Sequence, residues 1–180
     1  MKIKIFKGKK IKIKKLAKND LKSVKEFVDF ANSLVKEEAQ ILFNKKISLK
    51  EEKKWIKDEN NDIKRKKIVV LLAKDENKIV GITDIKLERG RRNHIGQFGI
   101  SIRNGYRGLG LGKYLMKEIL KLAKKELKPK PKFIRLSVFS TNKIAQNLYK
   151  KFGFKQVARI PQQLQYKGKL VDEIVMIKKL

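Results

Sequence analysis

From Ile3 to Leu16 apolar and basic residues alternate around a single glycine, Gly8. Period-two alternation marks a strand with one buried face, so this stretch is either a hairpin turning at Gly8 or one strand after a ragged start. The period then changes. Leu21, Val24, Phe27, Val28, Ala31, Leu34 and Val35 recur at spacings of three and four, which predicts an amphipathic helix capped by Asn19 or Asp20 and running to about Lys36. A second helix is expected after Ser48, carrying Leu49, Trp55 and Ile56, with Trp55 packing it onto the core.

Two β-rich runs follow, Ile68 to Lys74 and Lys78 to Leu87, separated by the turn residues Asp75-Glu76-Asn77. Ile95 to Ile102 reads as a third strand, with Phe98, Ile100 and Ile102 on one face and Gln97, Gly99 and Ser101 on the other. Leu111, Leu115, Ile119 and Leu122 make the apolar stripe of a helix from Leu111 to Leu127, with Pro129 just past its end. Phe133 to Phe139 alternates as a strand, Asn142 to Phe152 is helical with Gly153 as its stop, and Phe154 to Ile160 and Leu170 to Ile177 close as strands. No linker rich in Pro, Gly or Ser divides the 180 residues, and there is no repeat, so residues 1–180 are expected to form one α/β domain.

Composition narrows the functional classes. A hydrophobic fraction of 41% beside 37% charged residues excludes collagen-like and low-hydrophobicity disordered chains. With no Cys and one His, disulfides, thiol chemistry and multi-His metal clusters are excluded, and no metal is expected. No run of 18 apolar residues occurs and the amino end alternates Lys with Ile, so a soluble, cytoplasmic protein without a membrane partner is expected. The charge stands apart: 48 Lys and Arg against 18 Asp and Glu give a net +30. Such an excess attracts polyanions, nucleic acid first, although Lys-rich usage also follows from genome composition or a hot habitat. The runs Lys64-Arg65-Lys66-Lys67 and Lys124-Lys125, near Lys128, Lys130 and Lys132, are the candidates for such contact. Few aromatics stand beside them and no groove-reading motif is present, so nucleic acid is not expected as the main partner.

Between the strand ending at Ile102 and the helix starting near Leu111, four glycines fall in eight residues: Gly105-Tyr106-Arg107-Gly108-Leu109-Gly110-Leu111-Gly112. At such a turn glycine lets the backbone approach a ligand, and the free N–H groups of the first helical turn present the positive end of the helix dipole. That arrangement binds phosphate. A Walker loop is excluded, because Gly112-Lys113 is followed by Tyr114 rather than Ser or Thr. A dinucleotide fold would place its loop after the first strand, whereas this one lies after residue 100.

Arg107-Gly108-Leu109-Gly110-Leu111-Gly112 resembles the Arg/Gln-x-x-Gly-x-Gly/Ala signature of the GNAT superfamily of N-acetyltransferases. A second segment 35 residues on, Asn142-Lys143-Ile144-Ala145-Gln146-Asn147-Leu148-Tyr149-Lys150-Lys151-Phe152-Gly153-Phe154, resembles the family's Asn-x-x-Ala-x-x-Leu-Tyr-x-x-x-Gly-Phe at every fixed position. The resemblance implies an α+β fold with a mixed, mostly antiparallel sheet of six to seven strands flanked by about four helices. It implies acetyl-coenzyme A as cosubstrate, its pyrophosphate held by Arg107, Gly108, Leu109, Gly110, Leu111, Gly112 and Lys113. Its pantetheine arm is expected to pair with the backbone of Ile100, Ser101 and Ile102, because an amide-bearing chain can add to an open strand edge. Asn142 and Asn147 are further expected cofactor contacts, and Asn142 is also suited to cap its helix.

The resemblance further implies direct transfer in a ternary complex, with Tyr149 as the acid that meets the departing thiolate. A phenol of pKa about 10 is protonated at neutral pH. Tyr149 also shares a helix face with Ala145 and Phe152, where a packed aromatic belongs. The general base is where the chain departs from its relatives: several small-amine members carry a glutamate ten residues before the loop's first Arg or Gln, and here that position is Gln97. Glu88, His94, Glu173 or a bound water remain as bases.

Gln165 to Met176 resembles the closing strand pair of the spermidine and amino-acid acetyltransferase branch, and Asp172 with Glu173 offers a carboxylate pair for an ammonium. The expected acceptor is a primary amine on a small molecule or a peptide; the alternatives are N-terminal acetylation of a protein, a ribosomal one included, and a basic nucleic-acid-binding module on the same fold. Net charge argues against polyamines. A homodimer is compatible with the sequence. After residue 90 the chain holds 22 basic and 4 acidic residues, against 26 and 14 before it, so the excess leans toward the half bearing the phosphate loop.

Overall fold

The computed structural model describes residues 1–17, 20 and 23–180. Asn19 and Leu21 of the first predicted helix lie outside the described residues. Chain order is β1 (Lys2–Phe6), β2 (Lys9–Lys15), α1 (Val24–Lys36), α2 (Leu49–Lys64), β3 (Ile68–Asp75), β4 (Lys78–Leu87), β5 (Ile95–Ile102), α3 (Leu111–Glu126), β6 (Phe133–Phe139), α4 (Lys143–Lys151), β7 (Lys155–Tyr166) and β8 (Lys169–Lys179). Eight strands form one sheet, ordered β1-β2-β3-β4-β5-β6-β8-β7. The count exceeds six to seven because the alternating amino terminus is a hairpin: Lys7 and Gly8, at φ 45° and 85°, make a turn of the hand that suits twisted strands.

Helix α1 starts later than its apolar spacing predicts. The Asp20 carboxylate does not cap it but accepts the Ala17 N–H at 2.9 Å, and Ser23 takes the cap position. A short acidic side chain that closes a local turn competes with helix continuation in this way. Helix α2 begins as expected at Ser48, in a capping box: Ser48 Oγ accepts from Glu51 N, and the Glu51 carboxylate accepts from Ser48 N at 2.8 Å.

Every neighbouring pair of strands is antiparallel except β5 and β6. Those two run parallel, as strands joined through a crossover helix do. Their pairing is brief: Ile95 opposes Phe133, Gly96 opposes Ile134, Gln97 opposes Arg135, and then the strands part. Helix α3 covers one sheet face through Leu111, Leu115, Met116, Ile119 and Ala123, all nearly inaccessible. Helices α1 and α2 cover the other face through Phe27, Phe30, Leu34 and Ile56. Burying each such side chain contributes about 1.5–3 kcal/mol. No helix of the described residues is long and apolar enough to cross a membrane.

Trp55 does not join the core. It is 39% exposed, leans on Phe27 at a ring distance of 6.5 Å and lines a hollow between α1 and α2. Strand β7 runs on to Tyr166, past its expected end at Ile160, with register shifts at Gln156/Ala158 and Ile160/Leu164. Pro161 lies within the second irregularity; proline is confined to edge strands and bulges because it has no N–H to donate.

The joint of β5 and β6 is sealed at Gly96. A Cβ there would lie 2.7 Å from Ile85 Cγ2 and 2.9 Å from Ile134 Cδ1, both in the core. Gly96→Ala is therefore expected to destabilise the fold by about 1–3 kcal/mol, measured by urea unfolding.

Candidate functional site

The parting of β5 from β6 creates the site. Arg103 N donates to Val80 O and Glu88 N to Ile95 O, each at 2.9 Å, so odd-numbered residues of β5 bond to β4. Even-numbered residues then turn their N–H and C=O toward β6. Beyond Gln97 no β6 partner remains, and the main chains of Ile100 and Ile102 lie on an open edge. Ile102 O accepts Arg107 Nε at 2.7 Å. Ser101, between them, turns its main chain toward β4 and lines the hollow beneath α1 and α2.

The glycine loop sits at the end of this edge. Gly105, Gly108 and Gly110 have φ of 81°, 71° and 93°, a left-handed region that side chains disfavour. Gly110 leads directly into α3, whose first turn has neither a side-chain cap nor an acidic residue. The N–H groups of Leu111, Gly112 and Lys113 therefore face outward at the positive end of the α3 dipole. Leu111 is buried beneath the loop, while Arg107, Gly108 and Lys113 are exposed above it and Leu109 is half-buried. The end of α1 closes on the loop: Glu37 ion-pairs with Arg107, and its second oxygen accepts Asn104 N at 3.2 Å.

Helix α4 joins the same corner. A Cβ on Gly112 would lie 3.2 Å from Ile102 Cδ1 and 3.7 Å from Leu148 Cδ2, so loop, strand end and α4 meet there. Asn142 caps α4, its Oδ1 accepting from Ala145 N at 3.1 Å, and Asn147 is exposed one turn further on. Tyr149 is 7% exposed, with its ring edge-on to Phe98 at 6.0 Å and tilted on Phe154 at 6.1 Å. It is thus a packed aromatic, and burial pushes its phenol up to about 12.

On the opposite face of β5 lies a cavity of about 470 Å³. Phe27, Phe30 and Leu34 of α1, Phe43 and Ile47 of the following segment and Trp55 of α2 form apolar walls. Three carboxylates, Glu51, Glu52 and Asp84, complete the lining, with no Lys or Arg among the described lining residues. Glu51 is committed to the α2 capping box, whose hydrogen bonds hold it below the usual carboxylate range. Glu52 is 6% exposed and has no hydrogen bond or ion pair among the described residues; burial raises it. Asp84 is enclosed by protein except toward the cavity. Burial first, then the Glu59 charge, push it up to about 7, against a smaller opposing effect of Lys86. Lys86 is itself held by Glu59 at 2.9 Å and Asp62 at 2.8 Å. Gly99 makes room for Asp84, since a Cβ there would come within 2.7 Å of Oδ1.

Glu52 and Asp84 are absent from the sequence-based candidates. A signal exists for both: Glu52 and Glu59 fall in helical phase with Ile56, and Asp84 alternates with Ile82 on a strand face that helices cover. Of the expected bases, Glu88 and His94 lie elsewhere. Gln97 Oε1 accepts from Arg135 Nε at 3.1 Å, and Glu88 pairs with Arg92 and Arg135, each at 2.8 Å. His94 rests against Phe133 where β5 and β6 still pair, about 23 Å along the strand from Ser101 at 3.3 Å per residue. Asp172 is drawn out of its proposed pair with Glu173: it accepts Arg159 Nε at 2.5 Å and Gln162 N at 3.0 Å, and these bonds lower its carboxyl. The two lysine runs meet at the paired end of β5 and β6, where Lys128 N bonds Lys66 O and Lys67 Nζ bonds Lys128 O, both at 2.9 Å. They stand away from the loop.

A strand edge opened beside a glycine-lined helix N-terminus defines a class of protein, and the comparisons agree. Residues 33–154 match the model of the Acetyltransferase (GNAT) family, and the chain belongs to that family. It is 30% identical over 107 residues to the L-amino acid N-acetyltransferase AaaT of Escherichia coli (strain K12), a match spanning 59% of this chain and 65% of that relative's length. The crystal structure of a GNAT-family acetyltransferase from Streptococcus pneumoniae superposes with a TM-score of 0.82 at 26% identity, covering 94% of this chain and 99% of that one. The ribosomal-protein-alanine N-acetyltransferase of Brucella melitensis shares the fold, with a TM-score of 0.78 at 22% identity over 94% of this chain and 99% of that one.

A carboxyl raised by folding binds protons that the unfolded chain has already lost. Stability from Asp84 is therefore full below its unfolded pKa of about 3.9 and is lost as pH rises through about 7. Asp84→Asn is expected to be more stable than wild type by on the order of 2–4 kcal/mol at pH 8, a difference that vanishes below about pH 4. Urea unfolding at the two pH values checks it.

Proposed function

We propose that this chain transfers the acetyl group of acetyl-coenzyme A to a primary amine by direct attack within a ternary complex. The observation that carries the reading is the open edge of β5 running into the uncapped N-terminus of α3, in a chain of the GNAT family. The N–H groups from Gly108 to Lys113, with the Arg107 and Lys113 side chains, receive the pyrophosphate. Arg107 exchanges Glu37 for phosphate as it does so. The Ile100 and Ile102 main chains, with Ser101 between them, pair with the pantetheine amides, and Asn142 and Asn147 flank that arm from α4. The acceptor enters from the opposite face, through the cavity beneath α1 and α2, so the two substrates meet across β5.

Tyr149 stands where the sulfur departs. A phenol at about 12 does not release its proton outright to a thiolate whose conjugate acid lies about 3.5 units lower, taking a thiol at about 8.5. It supplies a hydrogen bond that strengthens as charge develops on sulfur, in a site where burial makes that bond count.

Acetyl-coenzyme A at about 100 times its Kd is expected to stabilise the protein by about 2.7 kcal/mol, a rise of about 5–11 °C in Tm for a domain this size. No shift at millimolar cofactor would overturn the reading. Tyr149→Phe is expected to keep that shift and lower kcat about 10²-fold, measured by thiol release. An unchanged kcat would remove Tyr149 from the chemistry.

A further inference from the structure

We infer that the cavity between α1, α2 and the β4–β5 face receives the amino terminus of a polypeptide whose first residue is apolar, and that Asp84 accepts the proton of its α-amine. The inference rests on the transfer reaction proposed above and names its acceptor.

Three properties of the cavity select that class. The first is charge. Glu52 and Asp84 face the hollow with no cationic partner among the described residues, inside a protein of net charge +30. Unpaired carboxylates in apolar walls are costly, and an ammonium entering the hollow meets an acceptor without a cationic partner there. The second is what the lining lacks. A free amino acid would bring its own carboxylate into a hollow already lined by carboxylates, with no described lining Lys or Arg to receive it. An acceptor whose α-carbon bears a neutral amide meets no such repulsion. The third is the wall. Phe27, Phe30, Phe43 and Trp55 offer a bulky side chain an apolar surface in a volume of about 470 Å³.

The rest of the peptide has an exit. A second groove, of about 650 Å³, runs between the segment after α1 and the β7–β8 turn, and it shares Phe43 with the cavity. Its lining includes Asn44, Gln165 and Gly168, polar and main-chain groups suited to an extended backbone.

Proton affinity matches as well. An α-amine with a pKa of about 8 gives its proton to a carboxylate at about 7 at small cost, whereas an alkylamine at about 10.4 lies more than three units above it. The charged groups that set the level of Asp84 are Glu59 from α2 and Lys86 from its own strand. In the step itself an Asp84 oxygen takes one proton of the ammonium, the freed nitrogen lone pair forms the bond to the thioester carbonyl carbon, and the nitrogen gives its second proton to solvent as the amide forms. The carbon–sulfur bond breaks with its electron pair leaving on sulfur, where Tyr149 donates its hydrogen bond. Asp84 then returns its proton to solvent, from which the thiolate takes one.

The test compares wild-type kcat/KM, by thiol release with acetyl-coenzyme A, for Phe-Ala-Ala, L-phenylalaninamide, L-phenylalanine and Asp-Ala-Ala. The Phe tripeptide and the amide are expected to exceed the free amino acid and the Asp tripeptide by about 10²-fold or more, as when a buried site meets an unmatched polar group. Equal or better use of L-phenylalanine, or of Asp-Ala-Ala, would overturn the acceptor class. With L-phenylalaninamide, wild-type kcat/KM is expected to rise with pH through about 7. Asp84→Asn should lose about 10²–10⁴ of it together with that rise, while its thermal shift with acetyl-coenzyme A persists. A variant that keeps the wild-type pH profile removes Asp84 as proton acceptor. Absence of both thermal shift and thiol release in the wild-type protein would defeat the transfer reaction itself, an outcome distinct from turnover of the wrong amine.

Discussion

Strands β5 and β6 pair over three residues and then separate in the middle of an eight-stranded sheet, and the remaining features of the site follow from that separation. Backbone N–H and C=O groups away from water require partners, and a sheet interior normally supplies them. Here Ile100 and Ile102 have lost theirs on one side, and the Arg107 guanidinium covers one carbonyl. Packing on the α3 and α4 face of the sheet borders the gap. Phe98 and Tyr149 wedge against each other on the α4 side, while Gly96 lets the strands close tightly only at the other end. An extended, amide-bearing ligand is what such an edge accommodates.

Electrostatics divides the molecule at the same place. The loop side carries Arg107, Lys113 and the positive end of the α3 dipole. The side beneath α1 and α2 holds Glu52 and Asp84 in the cavity lining, with Glu59 and Asp62 committed to Lys86. Net charge is thus a poor guide to the potential inside the cavity, because screened surface lysines act over about 10 Å or less whereas the cavity's own carboxylates act at contact. Keeping two raised carboxyls there costs stability at neutral pH, the usual trade at a working site.

The element order was legible because each element announces itself locally. Alternation marks the strands, three- and four-residue spacing marks the helices, and Ser48 with Glu51 marks the start of α2. Where reading failed, a neighbour decided: Asp20 folded back onto Ala17, Trp55 found a cavity instead of the core, and β7 ran on as an edge strand past its expected end. The glycine-loop corner was legible for a different reason, since glycines with left-handed φ and an uncapped helix start are consequences of the residues themselves.

What the sequence by itself determined, then, is the order of strands and helices, the glycine turn and the family, all of which depend on residues close together in the chain. Only the tertiary structure decided the carboxylate-lined cavity beneath α1 and α2. Glu52 and Asp84 are 32 residues apart and ordinary in their local pattern. They come to line one cavity only when α2 lies across β4, and Gly99 on a third element leaves Asp84 its room. Burial and charge at that cavity arise from contacts between distant segments, which local periodicity does not encode.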